Sequence, residues 1–288
     1  AAARAEVASI DWPCRVERFY SETNLGCDAR LVSGIGAVFA AVESAIFLED
    51  DCRPQTGCIA WLGRMLERWR DDDRVLMVSA FNPLEEWHAD RQSFHFAWHG
   101  DAWGWAAWRR SWTAFSHAAP DLDDPAMRAR LAAVLPDPDM QARHLAALAA
   151  GAAGHGSAWD VVWEHDRLMR GGLAVVPARN LIDNLGLGEA ATNTRRSTPI
   201  EAVRRSHPAP VEDRPPAAVA ADPAYDRLVW ELRSGRHSAA GLVLWGGRMV
   251  ERGRAIQALA LAHGGLRRYP GDAGLVALAA RASAALER

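Results

Sequence analysis

The sequence predicts an α/β fold, a sheet flanked by helices, followed by a small α-helical C-terminal segment. Three observations predict it. Short, mainly apolar runs at 45–48, 74–79 and 173–177 have the length of buried strands. The segments between them carry apolar residues at helical spacing, so strands and helices alternate. Beyond Pro223 the chain becomes Ala/Leu-rich, with breaks at Gly246-Gly247, Gly264-Gly265 and Pro270-Gly271.

In order, 14–20 alternates in part (Val16, then Phe19-Tyr20) and ends in the polar run 21–26 with its turn glycine, which predicts a strand and then a loop. The spacing over 28–42 predicts a helix that must tolerate Gly34 and Gly36. The run 44–48 stops at Glu49-Asp50-Asp51, the pattern of a buried parallel strand whose carboxyl end meets solvent, and Pro54 bars continuation. Ile59, Leu62, Leu66 and Trp69 predict a helix over 56–70, and 74–79 the next strand. Such alternation favours parallel crossovers and hence a mixed, mostly parallel sheet. A polar excursion at 83–93 precedes a Trp-rich block at 98, 103, 105, 108 and 112. Two helices between 125 and 150, a glycine break at 151–156, a helix over 157–170 and the strand 173–177 complete this part. The Pro/Ala/Arg-rich stretch that follows has little periodicity and reads as a linker. The expected organisation is a domain over 1–195, a linker over 196–222 and two or three packed helices within 223–288.

Of the 288 residues, 49% are hydrophobic and 24% charged, which excludes disordered and collagen-like classes. Lys+Arg 33 against Asp+Glu 36 gives a net charge of −3, so no global basic field exists to hold nucleic acid. The sequence contains no lysine, so a cationic side chain that meets phosphate must be an arginine. Cys14, Cys27, Cys52 and Cys58 form no CxxC pair; free thiols in a reducing cytoplasm are expected, without zinc or disulfides.

Three motifs bear on chemistry. Adjacent carboxylates at a strand's carboxyl end, Glu49-Asp50-Asp51, suit Mg²⁺ or Mn²⁺ bridging a diphosphate, or merely solvate a turn. Asp71-Asp72-Asp73 has the same composition but precedes a strand and reads as solvation alone. Asp160 falls on the first turn of a predicted helix, where it either serves the helix terminus or acts as a general base toward a hydroxyl nucleophile. Trp105, Trp108 and Trp112 follow an i, i+3, i+7 pattern that fits helix packing. Equally, their indoles could stack on sugars or bases while Arg109-Arg110 meets phosphate. His95 and His99, beside Trp98, are candidates for the same cleft.

Taken in order, Asn24-Leu25-Gly26-Cys27, Ile46-Phe47-Leu48-Glu49-Asp50-Asp51-Cys52, Trp103-Gly104-Trp105-Ala106-Ala107-Trp108-Arg109-Arg110, Trp159-Asp160 and Asn184-Leu185-Gly186-Leu187-Gly188 through Thr192-Asn193-Thr194 resemble the family-2-like, GT-A type bacterial glycosyltransferases. The likeness is to the sugar-transferase, or HlpA-like hemolytic-protein, branch and covers residues 10–194. The resemblance implies a GT-A-like nucleotide-diphospho-sugar transferase fold and transfer, with inversion, from a nucleotide-diphosphate sugar to a hydroxyl acceptor. It implies donor contacts from Asn24, Gly26, Arg30, Glu49 and Asp50, and a Mn²⁺ or Mg²⁺ ion on Asp50 and Asp51. It further implies Asp160 as catalytic base and Trp103, Gly104, Trp105 and Trp159 on the acceptor side. A glycan or lipid-linked sugar is the implied acceptor, which puts the chain in the cytoplasm, peripherally associated with the inner face of the membrane. Nothing before Asp11 supplies the family's opening strand and loop, Asn193 stands where a His is common, and Ala107 replaces the usual Thr. The rival expectations are a catalytically impaired GT-A-like module that binds glycan or protein, and a metal-dependent nucleotidyl or phosphoryl transferase.

Overall fold

The computed structural model describes residues 10, 12–116, 118, 120–154, 159–186 and 204–287. Helix α1 (Cys27–Ala41) leads into strand β1 (Ser44–Phe47), the short strand β2 (Cys52–Pro54), helix α2 (Cys58–Arg68) and strand β3 (Val75–Ser79). Strands β4 (Phe94–Ala97) and β5 (Trp105–Trp108) follow, with the single-turn helix α3 (Arg109–Trp112). Helices α4 (Pro125–Val134), α5 (Pro138–Ala152) and α6 (Trp159–Met169) precede strands β6 (Leu173–Pro177) and β7 (Ile182–Asn184). Four further helices are described: α7 (Pro223–Ser234), α8 (Ala239–Glu251), α9 (Ala255–Arg268) and α10 (Ala273–Leu286).

Several helix starts follow from local chemistry. Asp124, Asp137 and Asp222 each precede a proline at the first helical position and accept a backbone N–H two residues on, so capping and fixed φ act together. Ser238 and Asp272 cap α8 and α10 by accepting the N–H three residues on, from Gly241 and Leu275.

The main sheet has the order β1-β5-β3-β6-β4, and β2 pairs with β7 in a separate ribbon. It is mixed, as expected, but not mostly parallel. Only β3 with β6 is parallel, whereas β1–β5, β3–β5 and β4–β6 are antiparallel. The physical reason is the return strand β5, which inserts between β1 and β3; those two share a direction but do not touch. Residues 14–20 form no strand, and Val16, Phe19 and Tyr20 are exposed.

Strand alternation sorts side chains onto two faces. Trp105, Ala107, Ala174 and Val176 point into one core with Phe39 of α1, Trp159 and Trp163 of α6, Tyr225 and Val229 of α7 and Trp245 of α8. Ala106, Trp108, Leu173 and Val175 meet Trp61, Leu62 and Met65 of α2 on the other face. The C-terminal helices therefore share a core with the sheet. Residues 204–222, expected as a linker, lie docked: His207 N donates to Asn180 O (2.7 Å), Ala209 N to Thr56 O (2.9 Å) and Ser93 N to Arg214 O (2.8 Å). Ala221 forms a bridge with Phe96 beside β4. Among the described residues, no helix is long and apolar enough to cross a membrane.

Candidate functional site

The chain leaves β1 at Phe47 and turns tightly, with Cys52 N donating to Glu49 O (3.1 Å). This turn gathers carboxylate oxygens of Glu49 and Asp51 and the Cys52 sulfur within 4.8 Å of one another. Asp50 is exposed and outside the group. The ribbon of β2 and β7 brings Asn184-Leu185-Gly186 against the acids across more than 130 residues of sequence. Leu185 N donates to Asp51 O (2.8 Å) and Gly186 N to Asn184 Oδ1 (2.7 Å). A Cβ at position 186 would lie 2.0 Å from Asp51 Oδ2, so only glycine fits this approach. Leu187 and Gly188 through Thr194 lie outside the described residues.

Burial raises the Glu49 carboxyl to about 7, assisted by the negative charges of Asp51, Asp160 and Asp50. Burial likewise pushes the Cys52 thiol to about 12. Asp51 Oδ1 is buried and has no hydrogen-bond partner among the described residues. Two hard carboxylates that crowd one another, one with an orphaned oxygen, fit Mn²⁺ or Mg²⁺; a thiol held protonated adds little to such a donor set.

Asp160 lies on the first turn of α6, which is tied to α1 because Trp159 N donates to Asp28 Oδ1 (3.3 Å). The ends of α1, α6 and β1 thus converge, and Asp160 acts electrostatically on Glu49. Asp160 keeps solvent access, yet the protein crowded about it raises its carboxyl, an effect partly offset by the Val161 N–H that donates to Oδ1 (3.0 Å). Ser157 and Ala158, the other residues expected at this helix start, lie outside the described residues.

Asp160 also borders a cavity of about 430 Å³ between α5, α6, α7 and residues 99–102. In its wall Glu164 Oε1 is 3.3 Å from His99 Nδ1, Glu164 Oε2 is 3.5 Å from Arg233 Nη1, and Arg233 Nη2 donates to Asp101 Oδ1 (2.8 Å). Burial opposes ionisation of Glu164, but the charges of His99 and Arg233 overcome it and hold the carboxyl well below its usual range. His99 was a candidate from its position beside Trp98. Asp101, Trp163, Trp230 and Arg233 were not, and no local signal marks them, since α7 arrives from 130 residues away.

The other candidates divide. Asn24 Oδ1 accepts from Gly26 N (2.9 Å), and Gly26, at φ +76°, starts α1; Arg30 donates to Phe19 O. Trp105 and Trp159 are 2% and 4% exposed and pack against each other at a tilt within the aromatic core, so neither presents a ring to solvent. Gly104 has φ +65° and packs on Ile182, while Trp103 meets Phe81 edge-on. The helical reading of Trp105 and Trp108 fails because both lie on β5, facing opposite cores. Arg109 donates to Phe39 O and Arg110 to the carbonyls of Trp69, Asp72 and Val75, which commits both guanidiniums to the fold and not to phosphate. His95 is buried against Tyr225 rather than in the cleft. No family model matches the chain, and no curated protein matches it.

Proposed function

We propose that this chain is a glycosyltransferase of GT-A type that moves a sugar from a nucleotide-diphosphate donor to a hydroxyl acceptor, with inversion. The observation that carries the reading is the convergence of the Glu49/Asp51 carboxylates with Asp160, beside a cavity large enough for a small-molecule ligand. Glu49 and Asp51, with Asp50 next to them, would hold Mn²⁺ or Mg²⁺, which supplies positive charge to a departing diphosphate. Asp160 has access to solvent and a raised pKa, two properties suited to a general base. The acceptor oxygen bonds to the anomeric carbon as the carbon–diphosphate bond breaks, and its proton passes to the Asp160 carboxylate. Asn24, Gly26 and Arg30, at the start of α1, would contact the donor.

The test is release of nucleoside diphosphate from a panel of UDP-, GDP- and dTDP-sugars in Mn²⁺, with EDTA and Asp51→Ala as controls. Release from at least one donor, lost in both controls, is expected. Absence of release together with absence of Mn²⁺-dependent donor binding would overturn the reading, and retained glycan binding in that case would favour a binding module.

A further inference from the structure

Glu85 lies outside the site described above, is 4% exposed and has φ +65°, a region that residues other than glycine enter at a cost. Burial adds the cost of taking a carboxylate out of water. Glycine at this position would avoid both, so the fold recovers them from the contacts that the Glu85 side chain makes.

Those contacts join segments remote in sequence. Glu85 Oε2 accepts from Arg205 N (3.0 Å), His207 Nε2 lies 3.5 Å from Oε1, and Arg252, at the end of α8, donates to Oε1. On the backbone, Asn180 N donates to Glu85 O (2.7 Å). α8 grips the same loop a second time through Arg248, one turn before Arg252, which donates to the carbonyls of Leu84 and Glu86. The acid at 85 thus connects the C-terminal helices with the docked stretch that begins at 204.

From these partners the contacts lead to the acidic turn. Asn180, itself 1% exposed, donates through Nδ2 to Arg205 O (3.1 Å) and to Ile182 O in β7 (2.8 Å), and its carbonyl accepts from His207 N (2.7 Å). Gln55 Nε2, just beyond β2, donates to Ser206 Oγ (2.7 Å) and to Asp183 Oδ2 of β7 (3.1 Å). Residues 205–207 therefore back both strands of the β2–β7 ribbon, whose end sets Leu185 N on Asp51 O (2.8 Å) and Gly186 against Asp51 Oδ2. The approach at Gly186 leaves no room for a Cβ, so a shift of the ribbon reaches Asp51 directly.

We infer that Glu85 is a positioning residue for the Glu49/Asp51 turn: clamped by Arg252, its carboxylate seats 205–207 on Asn180 and so keeps the β2–β7 ribbon closed on Asp51. The C-terminal helices thereby become part of the support of the acidic turn. The role of that turn in holding Mn²⁺ rests on the glycosyl-transfer reading, whereas the closure of the ribbon does not.

The experiment follows the amide exchange of Leu185 by NMR and the Mn²⁺ affinity by calorimetry, in the full chain and in Glu85→Gln, Glu85→Gly and Arg252→Met. Glu85→Gln keeps the shape without the charge, and Glu85→Gly relieves the backbone while removing the carboxylate. Met127→Ala, in the separate core of α4, α5 and α6, lowers stability far from the ribbon and serves as the comparison. At a temperature where every variant is folded, Leu185 exchange should rise about tenfold or more in the Glu85 and Arg252 variants. Mn²⁺ binding should weaken about tenfold in the same variants, with both quantities unchanged in Met127→Ala. If the Glu85 variants do not fold, Arg252→Met, which leaves the acid in place, decides. Leu185 exchange that stays at the wild-type rate, or that rises as much in Met127→Ala, would overturn the inference, and so would Mn²⁺ affinity that an opened ribbon leaves unchanged. A wild-type chain that binds no Mn²⁺ while its Leu185 exchange responds selectively keeps the hold of Glu85 on the ribbon and removes the metal reading alone.

Discussion

At the residue scale, Asp160 and His95 differ in exposure: the first keeps solvent access and the second is buried. Asp160→Asn keeps the shape and the Oδ1 that accepts from Val161 N, but cannot take a proton. Donor binding should survive while transfer falls about 10² to 10⁴-fold; near-normal turnover with a lowered melting temperature would return Asp160 to a structural role. His95 is buried beside Tyr225, with neither ring nitrogen partnered among the described residues, and burial lowers its pKa to about 3 despite Asp222. The unfolded chain protonates this residue near its ordinary value of about 6.5. Its contribution is therefore complete above about pH 6.5 and is lost as pH falls toward 3, at no more than about 1.4 kcal/mol per pH unit. His165, lowered to about 4 by burial and by His144, acts in the same direction. Melting temperature should drop between pH 7 and pH 5, and His95→Leu should flatten part of that drop. A slope identical to wild type would show that His95 does not titrate on unfolding.

At the element scale, the strands β1, β3 and β6 were legible because each is a short, mainly apolar run with a charge, glycine or proline at one boundary or more. The Trp-rich block was not, because a separation of three residues keeps side chains together on a helix but puts them on opposite faces of a strand. Trp105 and Trp108 consequently serve different cores. Gly34, expected within a helix, and Gly246, expected at a break between helices, both lie inside helices but differ in what surrounds them. Gly34 in α1 has nothing within 4 Å of an added Cβ, so Gly34→Ala should stabilise by about 0.5–1 kcal/mol. Gly246 in α8 would put a Cβ 2.3 Å from the buried Leu278 of α10, so Gly246→Ala should cost about 1–3 kcal/mol. Urea unfolding of the pair checks both signs, and a neutral Gly246→Ala would mean that α10 yields without loss of packing.

At the scale of the whole molecule, the alternation of apolar runs with helical spacing sufficed for the α/β class, and Ala/Leu-rich composition for the helical end, but neither for their union. The stretch 204–222 has few apolar residues and little periodicity, so the sequence reads as free chain; the structure holds it through its backbone, which composition does not report. Glu85 strengthens that attachment, since Arg205 N donates to its Oε2 (3.0 Å) and His207 Nε2 lies 3.5 Å from its Oε1. Subtilisin under native conditions should cut within the exposed stretch 12–26 before any bond in 204–222. Early cleavage in 204–222 would mean that its docking opens readily. The acidic turn was legible as a motif, and so was Asp160; their meeting was implied by the resemblance alone, because it depends on the β2–β7 ribbon and on the Asp28–Trp159 bond, neither of which any local pattern encodes.

The strand order sets a timetable for synthesis. β4 pairs within the sheet only with β6, yet Ala97 ends one and Pro177 ends the other, 177 − 97 = 80 residues later. At about 5–20 residues per second a ribosome takes roughly 4–16 s to cover that distance. For that interval Phe94 and Phe96 are made but lack their strand partner, and β3 has an open edge where β6 will enter. Translation of this chain therefore carries a window of exposure to aggregation that closes only as β6 is made and seated.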